Sequence, residues 1–586
     1  MLRKRAFQEP CRSGKMQEKG CISKEQMSDR KKTNKQTHTQ TLLNSRITIL
    51  KYLFSIILMI LGRRSAGSNK MLFCGLLELL VIWMLTEVIR SFRVRAVVNG
   101  ILMLLLNAQM LILWFGGDYI SLVMLTNLDN VRDLSGKIVI YILGIVITLV
   151  FSFYPPARLL DLRKGKDGDD RICRSSASLL LSAVLCAELL FTLIYGNLHS
   201  PLFAYWRLGA EAKEAARVRK ELESIENCTA DFYRKGISCA SVEKPDTLGE
   251  KPNIVLILTE GLSEHIVKDE RGIMPNAAAL EEKSISFSNY YNHTFATYRG
   301  ISGQLYSGFQ LDNYDSNSLI GIQNLLADQG YTTSFINTEP NLVPFASYLQ
   351  EMGFDEVIGE PGHGYSGPSG SMTDKEAYEE LLKQVEEKHA AGQPFFTAIY
   401  TFGTHASFDS PDQKFGDGSQ SELNKFYNAD YWLGVFIEKI EASPAFENTI
   451  IVFTADHATY ADLYYNEAFP EYKRANPSID QIPLMIYHRG VVPQQIDAAG
   501  RNTLDLTSTI LDYIDINGPN YFLGASLFHS EDNYNNLDTI FTSSVDLYST
   551  KGGTIRKLED GEAETSIVKE MIQNYYAAKL QIPVTP

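Results

Sequence analysis

The chain has 586 residues, with 55 Lys+Arg against 69 Asp+Glu and seven cysteines, which is too long for one compact domain. Its charge is unevenly placed: residues 1–196 carry a net of +13 and residues 197–586 a net of −27. A basic, apolar first third joined to an acidic remainder is the profile of a membrane anchor carrying a globular domain. The acidic part lacks the basic surface that nucleic acid requires, so no nucleic-acid partner is expected.

In chain order, residues 1–46 form a basic tail. Five apolar stretches follow, at 47–62, 71–89, 96–115, 138–155 and 175–195. They are read as a five-helix transmembrane domain over 47–196, since about 20 apolar residues cross a ~30 Å hydrocarbon core. Lys51 interrupts the first stretch, which needs "TLLN" before Arg46 to reach span length. A signal peptide is a poor alternative for this stretch, which sits far from Met1 and is followed by further spans. Basic residues in the tail, in 90–95 and in 156–174 share one side of a five-span arrangement, although "RRSAGSNK" (63–70) runs against the pattern. The expected localisation is a multi-pass cell-membrane protein, its N-terminus cytoplasmic and its catalytic domain extracytoplasmic. Glu78, Glu87 and Glu188 lie inside spans, where an acid is costly, and are read as facing the bundle interior or an interface. Only Cys228 and Cys239 fall in the exported part; they either close a short loop as a disulfide or are two unrelated thiols. No CxxC or Cys/His zinc spacing occurs.

Residues 197–250 read as a helical connector, with "GAEAKEAARVRKELESIE" (209–226) suited to helix by propensity and charge pattern. From 251 to 530 the pattern is that of a catalytic domain, and 531–586 is a C-terminal extension. "NIVLILT" (253–259), "TTSFIN" (332–337), "PFFTAIYT" (394–401), "TIIVFTA" (449–455) and "IPLMIYH" (482–488) are strand-length runs without polar alternation, as buried strands require. Helical candidates at 276–284, 374–388 and 429–441 lie between them. The expected fold is therefore α/β, a mostly parallel sheet with helices on both faces. Such sheets bind ligands beyond the carboxyl ends of their strands.

Glu260 directly follows the first of these runs, and Asp456 and His457 directly follow the fourth, while His405 comes a few residues after the third. If those strands are neighbours, two carboxylates and an imidazole offer mixed oxygen and nitrogen ligands to an ion such as Mn²⁺ or Zn²⁺. Three protein ligands would leave room for an activated nucleophile. The plainer alternatives are a helix N-terminal glutamate and a chance Asp-His pair. The stretch "HTFATYRGISG" (293–303) holds two threonines, Thr294 and Thr297, and by itself is equally a nucleophile loop or an ordinary helix entry.

"KPNIVLILTEG", "MPNAAALEEKSISFSNYYN", the threonine loop, "FGTHASFD" and "FTADHA", in that order, resemble the alkaline phosphatase and sulfatase superfamily. Within it they are similar to the membrane-anchored phosphoglycerol and phosphoethanolamine transferases related to lipoteichoic acid synthase. The resemblance implies an alkaline-phosphatase-like domain with one divalent metal ion, Mn²⁺ ahead of Zn²⁺ or Mg²⁺. It implies Glu260, Asp456 and His457 as metal ligands, and Thr297 as metal-bound nucleophile with Thr294 as runner-up. His405 matches a histidine that binds substrate phosphate. Arg299 is a candidate for bidentate charge stabilisation, or equally a structural arginine. The implied reaction is ping-pong: Thr297 takes a phosphoglycerol or phosphoethanolamine group from a phospholipid donor in the lipid bilayer. It then passes the group to an extracytoplasmic envelope glycan or polymer.

Departures from the family pattern narrow this. The C/S-x-P-x-R motif of sulfatases is absent, since Phe295 and Thr297 stand where Cys or Ser and Pro would precede Arg299. His363 in "PGHGYSG" is too isolated to build a second metal site. Phosphoglycerol-specific members resemble one another in a Trp/Arg segment before a "GFD" turn, where this chain has Val343 and Phe345. Phosphoethanolamine enzymes often carry several exported disulfides, and this chain can make one. A hydrolase on the same fold and a non-catalytic glycan-binding domain are the alternatives to a transferase.

Overall fold

A computed structural model of the chain describes residues 24–126, 138–159, 170–223, 233–237, 242, 244–245, 248–315, 317–406, 408–474, 476–529, 536–543 and 546–581. Cys228 and Cys239 lie outside the described residues.

The N-terminal part is a helical bundle: α1 (Lys24–Ala66), α2 (Asn69–Val88), α3 (Phe92–Gly116), a short α4 (Leu122–Thr126), α5 (Ile138–Phe153) and α6 (Asp170–Tyr195). Among the described residues four helical segments are long and apolar enough to cross a membrane: Leu42–Ala66, Asn69–Val88, Phe92–Gly116 and Ser175–Tyr195. The expected fifth stretch, 138–155, is the apolar helix α5, whose described part covers 16 residues. Pro155 and Pro156 close it on the C-terminal side.

Lys51 is explained by its partners rather than by its own apolarity. It is buried and donates to Asn99 Oδ1 and to the carbonyl oxygens of Ser152 (2.7 Å) and Tyr154 (3.0 Å), tying α1 to α3 and to the end of α5. Glu78 and Glu87 are likewise buried. Glu78 accepts from Leu202 N–H and Ser200 Oγ, and Glu87 from Trp83 Nε1 and Leu159 N–H. Glu188 is half-buried on α6.

After α7 (Pro201–Glu223) the chain builds an eight-stranded sheet: β1 (Asn253–Thr259), β2 (Ile285–Ser288), β3 (Thr332–Ile336), β4 (Glu356–Ile358), β5 (Phe395–Thr401), β6 (Thr449–Ala455), β7 (Leu484–Tyr487) and β8 (Gln494–Asp497). Their spatial order is β4-β3-β5-β1-β6-β7-β2-β8, and every pairing is parallel except the two made by β7. In β1, β5 and β6 every residue is buried. Because alternate side chains point to opposite faces, the sheet is covered on both sides, as the unbroken apolar runs foretold.

Two features join the parts. At the C-terminal end of α3, Gly117 sits at φ +72, and a Cβ there would lie 2.9 Å from the carbonyl oxygen of Ala461. The bundle thus meets the loop that follows β6 backbone to backbone. The C-terminal helix Ala563–Gln581, outside the sheet, packs on α7.

Candidate active site

Register alone brings the chemistry together. β5, β1 and β6 are adjacent and parallel, with Thr259 opposite Thr401 on one side and Ala455 on the other. The residues just past those positions are Glu260, the loop to His405, and Asp456-His457. One strand end therefore collects all four.

Backbone bonds hold the group. Asp456 Oδ1 accepts from Gly261 N–H (2.8 Å) and His457 N–H (2.7 Å). This directs Oδ2 inward, where it is buried without a hydrogen-bond partner. His457 Nδ1 lies 2.8 Å from the Ala458 carbonyl, so that nitrogen donates and Nε2 faces the centre. Nε2 is 3.4 Å from Glu260 Oε1 and 3.6 Å from Asp456 Oδ2. Among the described residues these three form a His/Asp/Glu group whose ligand atoms all lie within 4.8 Å of one another.

The electrostatics fit a cation. Burial and the neighbouring Glu260 charge push the Asp456 carboxyl up, whereas burial of Glu260 is outweighed by His457 and it is held low. The imidazole of His457 is in turn held up by Asp456 and Glu260 against the effect of its burial, so the three groups share protons that a divalent ion would displace on binding. The orphaned Asp456 Oδ2 and the O, O, N donor set suit such an ion.

Thr297 completes the cluster. It is the first residue of helix Thr297–Tyr306, its hydroxyl donating to Glu260 Oε2 (2.9 Å) and lying 3.5 Å from His457 Nε2. The helix N-terminus adds a partial positive charge there. "TYRGISG" supplies two close approaches: a Cβ on Gly300 would stand 2.3 Å from the Asp456 carbonyl oxygen, and one on Gly303 would stand 2.1 Å from His293 Nε2. Thr294 is directed elsewhere, its hydroxyl donating to the Thr542 carbonyl (3.1 Å).

Arg299 is not brought to the cluster. Two residues along a helix is a rotation of about 200° from Thr297. The guanidinium is buried, feels Tyr576 and Asp315, and does not line the cavity at Thr297. Of the two roles considered for it, this placement favours the structural arginine. Val343 is exposed and Phe345 packs on Tyr298 with ring centroids 4.5 Å apart, and neither reaches the cavity.

That cavity, of about 740 Å³, is lined by Glu260, Thr297, His405 and His457 and by residues that sequence reasoning passed over. Lys425 is one; it is buried and paired to Glu422 Oε1 at 2.6 Å. Its signal is a lysine on the apolar side of helix Ser421–Ala442. Phe541 and Tyr548, from the C-terminal extension, are others. No local pattern marks them.

A mostly parallel α/β sheet with this strand-end cluster defines the class, and residues 252–516 match the sulfatase family model. The chain is 28% identical over 322 residues to phosphoglycerol transferase I of Escherichia coli, a match that takes in 47% of this chain and 39% of the relative. The match thus spans well under half the length of the curated relative. Among solved structures it is similar to the lipoteichoic acid synthase LtaP of Listeria monocytogenes (17% identity, TM-score 0.49, 64% of this chain and 100% of that one). It is also similar to the lipooligosaccharide phosphoethanolamine transferase EptA of Neisseria meningitidis (13% identity, TM-score 0.46, 80% and 95%).

Proposed function

We propose that the protein is a membrane phosphotransferase that moves a phosphoglycerol or phosphoethanolamine group from a phospholipid to an extracytoplasmic envelope glycan or polymer, through a phospho-threonine at Thr297. The observation that carries the reading is the Thr297 hydroxyl at 2.9 Å from Glu260 inside the Glu260–Asp456–His457 cluster. Glu260, Asp456 and His457 would hold one divalent ion, Mn²⁺ ahead of Zn²⁺ or Mg²⁺. When bound, it supplies Lewis-acid charge that lowers the hydroxyl pKa and offsets phosphate charge.

Thr297 loses its proton and forms an O–P bond while the bond to the diacylglycerol oxygen breaks, and that oxygen takes up a proton. In the second half an acceptor hydroxyl forms the new O–P bond, and Thr297 regains its proton. His405 and Lys425, both on the cavity wall, bind the phosphoryl oxygens as charge moves onto them. The catalytic domain faces outward, with the N-terminus cytoplasmic, so that donor and acceptor meet at the bilayer surface.

Full-length chain in liposomes containing labelled phosphatidylglycerol or phosphatidylethanolamine, supplied with Mn²⁺, tests this. Metal-dependent diacylglycerol release from one of the two is expected. Absence of release from both, by folded protein, overturns the reading.

A further inference from the structure

The cavity at Thr297 does not end with the catalytic domain. It runs on between α3 and α5, where Leu104, Leu111, Phe115, Ile145 and Leu149 form much of its wall. From Leu104 to Gly116, both on that wall, α3 rises about 18 Å at 1.5 Å per residue. That is about the depth of one leaflet of a ~30 Å hydrocarbon core. The polar wall residues Asp118 and Glu211 stand past the C-terminal end of α3, on the side where Gly117 meets Ala461. Polarity thus rises along the cavity as it would from a lipid tail to its head group. A site for a water-soluble substrate would gain nothing from a channel cut into a membrane helix, and an empty apolar channel there would forfeit packing.

We propose that the groove between α3 and α5 is a tail site holding one acyl chain of the glycerophospholipid whose head group lies at Thr297. The identity of this occupant rests on the transferase reading above. The chain remains at bilayer depth while its phosphate reaches the cluster, so the donor reacts without leaving the membrane. The tail exchanges contacts with bilayer lipid for contacts with the groove wall, so fit to that wall, and not escape from water, sets the preference among acyl chains.

The full-length chain, reconstituted in liposomes, is photolysed with a glycerophospholipid bearing a diazirine near the end of one acyl chain, and adducts are mapped by mass spectrometry. Adducts on Leu104, Leu111 or Leu149 are expected. Adducts confined to Leu143 and Val150, exposed residues off the groove, overturn the tail site. As a second measurement, Ala108→Trp places a bulky ring on a wall residue. It is expected to lower the preference for long-chain over dihexanoyl donor about tenfold, the order of loss that overpacking an apolar site produces. An unchanged preference counts against the site. Groove labelling without any head-group transfer would sink the transferase and leave the tail site standing. Transfer without groove labelling would sink the tail site alone.

Discussion

Replacing Gly300 by alanine tests whether the helix that carries Thr297 must lie against β6. The added Cβ would stand 2.3 Å from the Asp456 carbonyl oxygen, far inside ordinary contact. That oxygen belongs to the backbone of a cluster residue whose carboxylate is held by Gly261 and His457 N–H groups, so it has little freedom to yield. Helix Thr297–Tyr306 must therefore retreat by about 1 Å, and a displacement of that size at a reacting atom costs on the order of 10²-fold in rate. Overpacking of a well-filled interior costs about 1–3 kcal/mol in stability besides. The assay is diacylglycerol release by Gly300→Ala in liposomes, alongside a thermal melt to confirm folding. A folded variant within about threefold of wild type in rate would refute the packing argument, since it contradicts the ~10²-fold loss expected for a shifted nucleophile.

Three further outcomes follow from single side chains. Asp456→Ala is expected to weaken Mn²⁺ binding by calorimetry more than the ~10–100-fold that loss of an outer-sphere partner alone costs. Lys425→Met leaves Glu422 buried and unpaired, and is expected to cost about 3–5 kcal/mol in a denaturant titration. A Lys425→Met, Glu422→Met double variant should recover most of that stability without recovering turnover. Lys579 is buried, its ammonium donating to Gln310 Oε1 (2.6 Å), and burial pulls its pKa down to about 8. The folded value lies below the unfolded one, so the charged lysine opposes folding below pH 8, and the penalty fades as pH rises toward the ordinary lysine value of about 10.4. Lys579→Met should therefore raise Tm at pH 7 and gain little near pH 10; Gln310 Oε1 keeps Ser302 Oγ as a donor.

The part of this molecule legible in its sequence is the part fixed by burial on two faces. β1, β5 and β6 announce themselves because they show no polar alternation and no charge, and their carboxyl ends then hand over Glu260, His405 and Asp456-His457. β2, β4 and β8 read "ISFS", "EVI" and "QQID". They are short and mixed in polarity, so only their place in the sheet makes them strands. Arg299 reads as a neighbour of Thr297 in sequence and turns out to face away, since helical rotation separates residues that spacing joins. The choice between Thr294 and Thr297 rests on Thr542, 248 positions away, a contact no local pattern encodes. Lys51 looks like a flaw in a membrane helix until Asn99 and the carbonyls of Ser152 and Tyr154 supply its partners.

In the proposed reaction Thr297 carries the phosphoryl group between donor and acceptor. Full-length chain incubated with Mn²⁺ and phospholipid donor but no acceptor, then digested and analysed by mass spectrometry, measures this directly. A head-group phosphate is expected on the peptide containing Thr297, and none in Thr297→Ala. An adduct on Thr294, or diacylglycerol release with no covalent adduct on the chain, would contradict it.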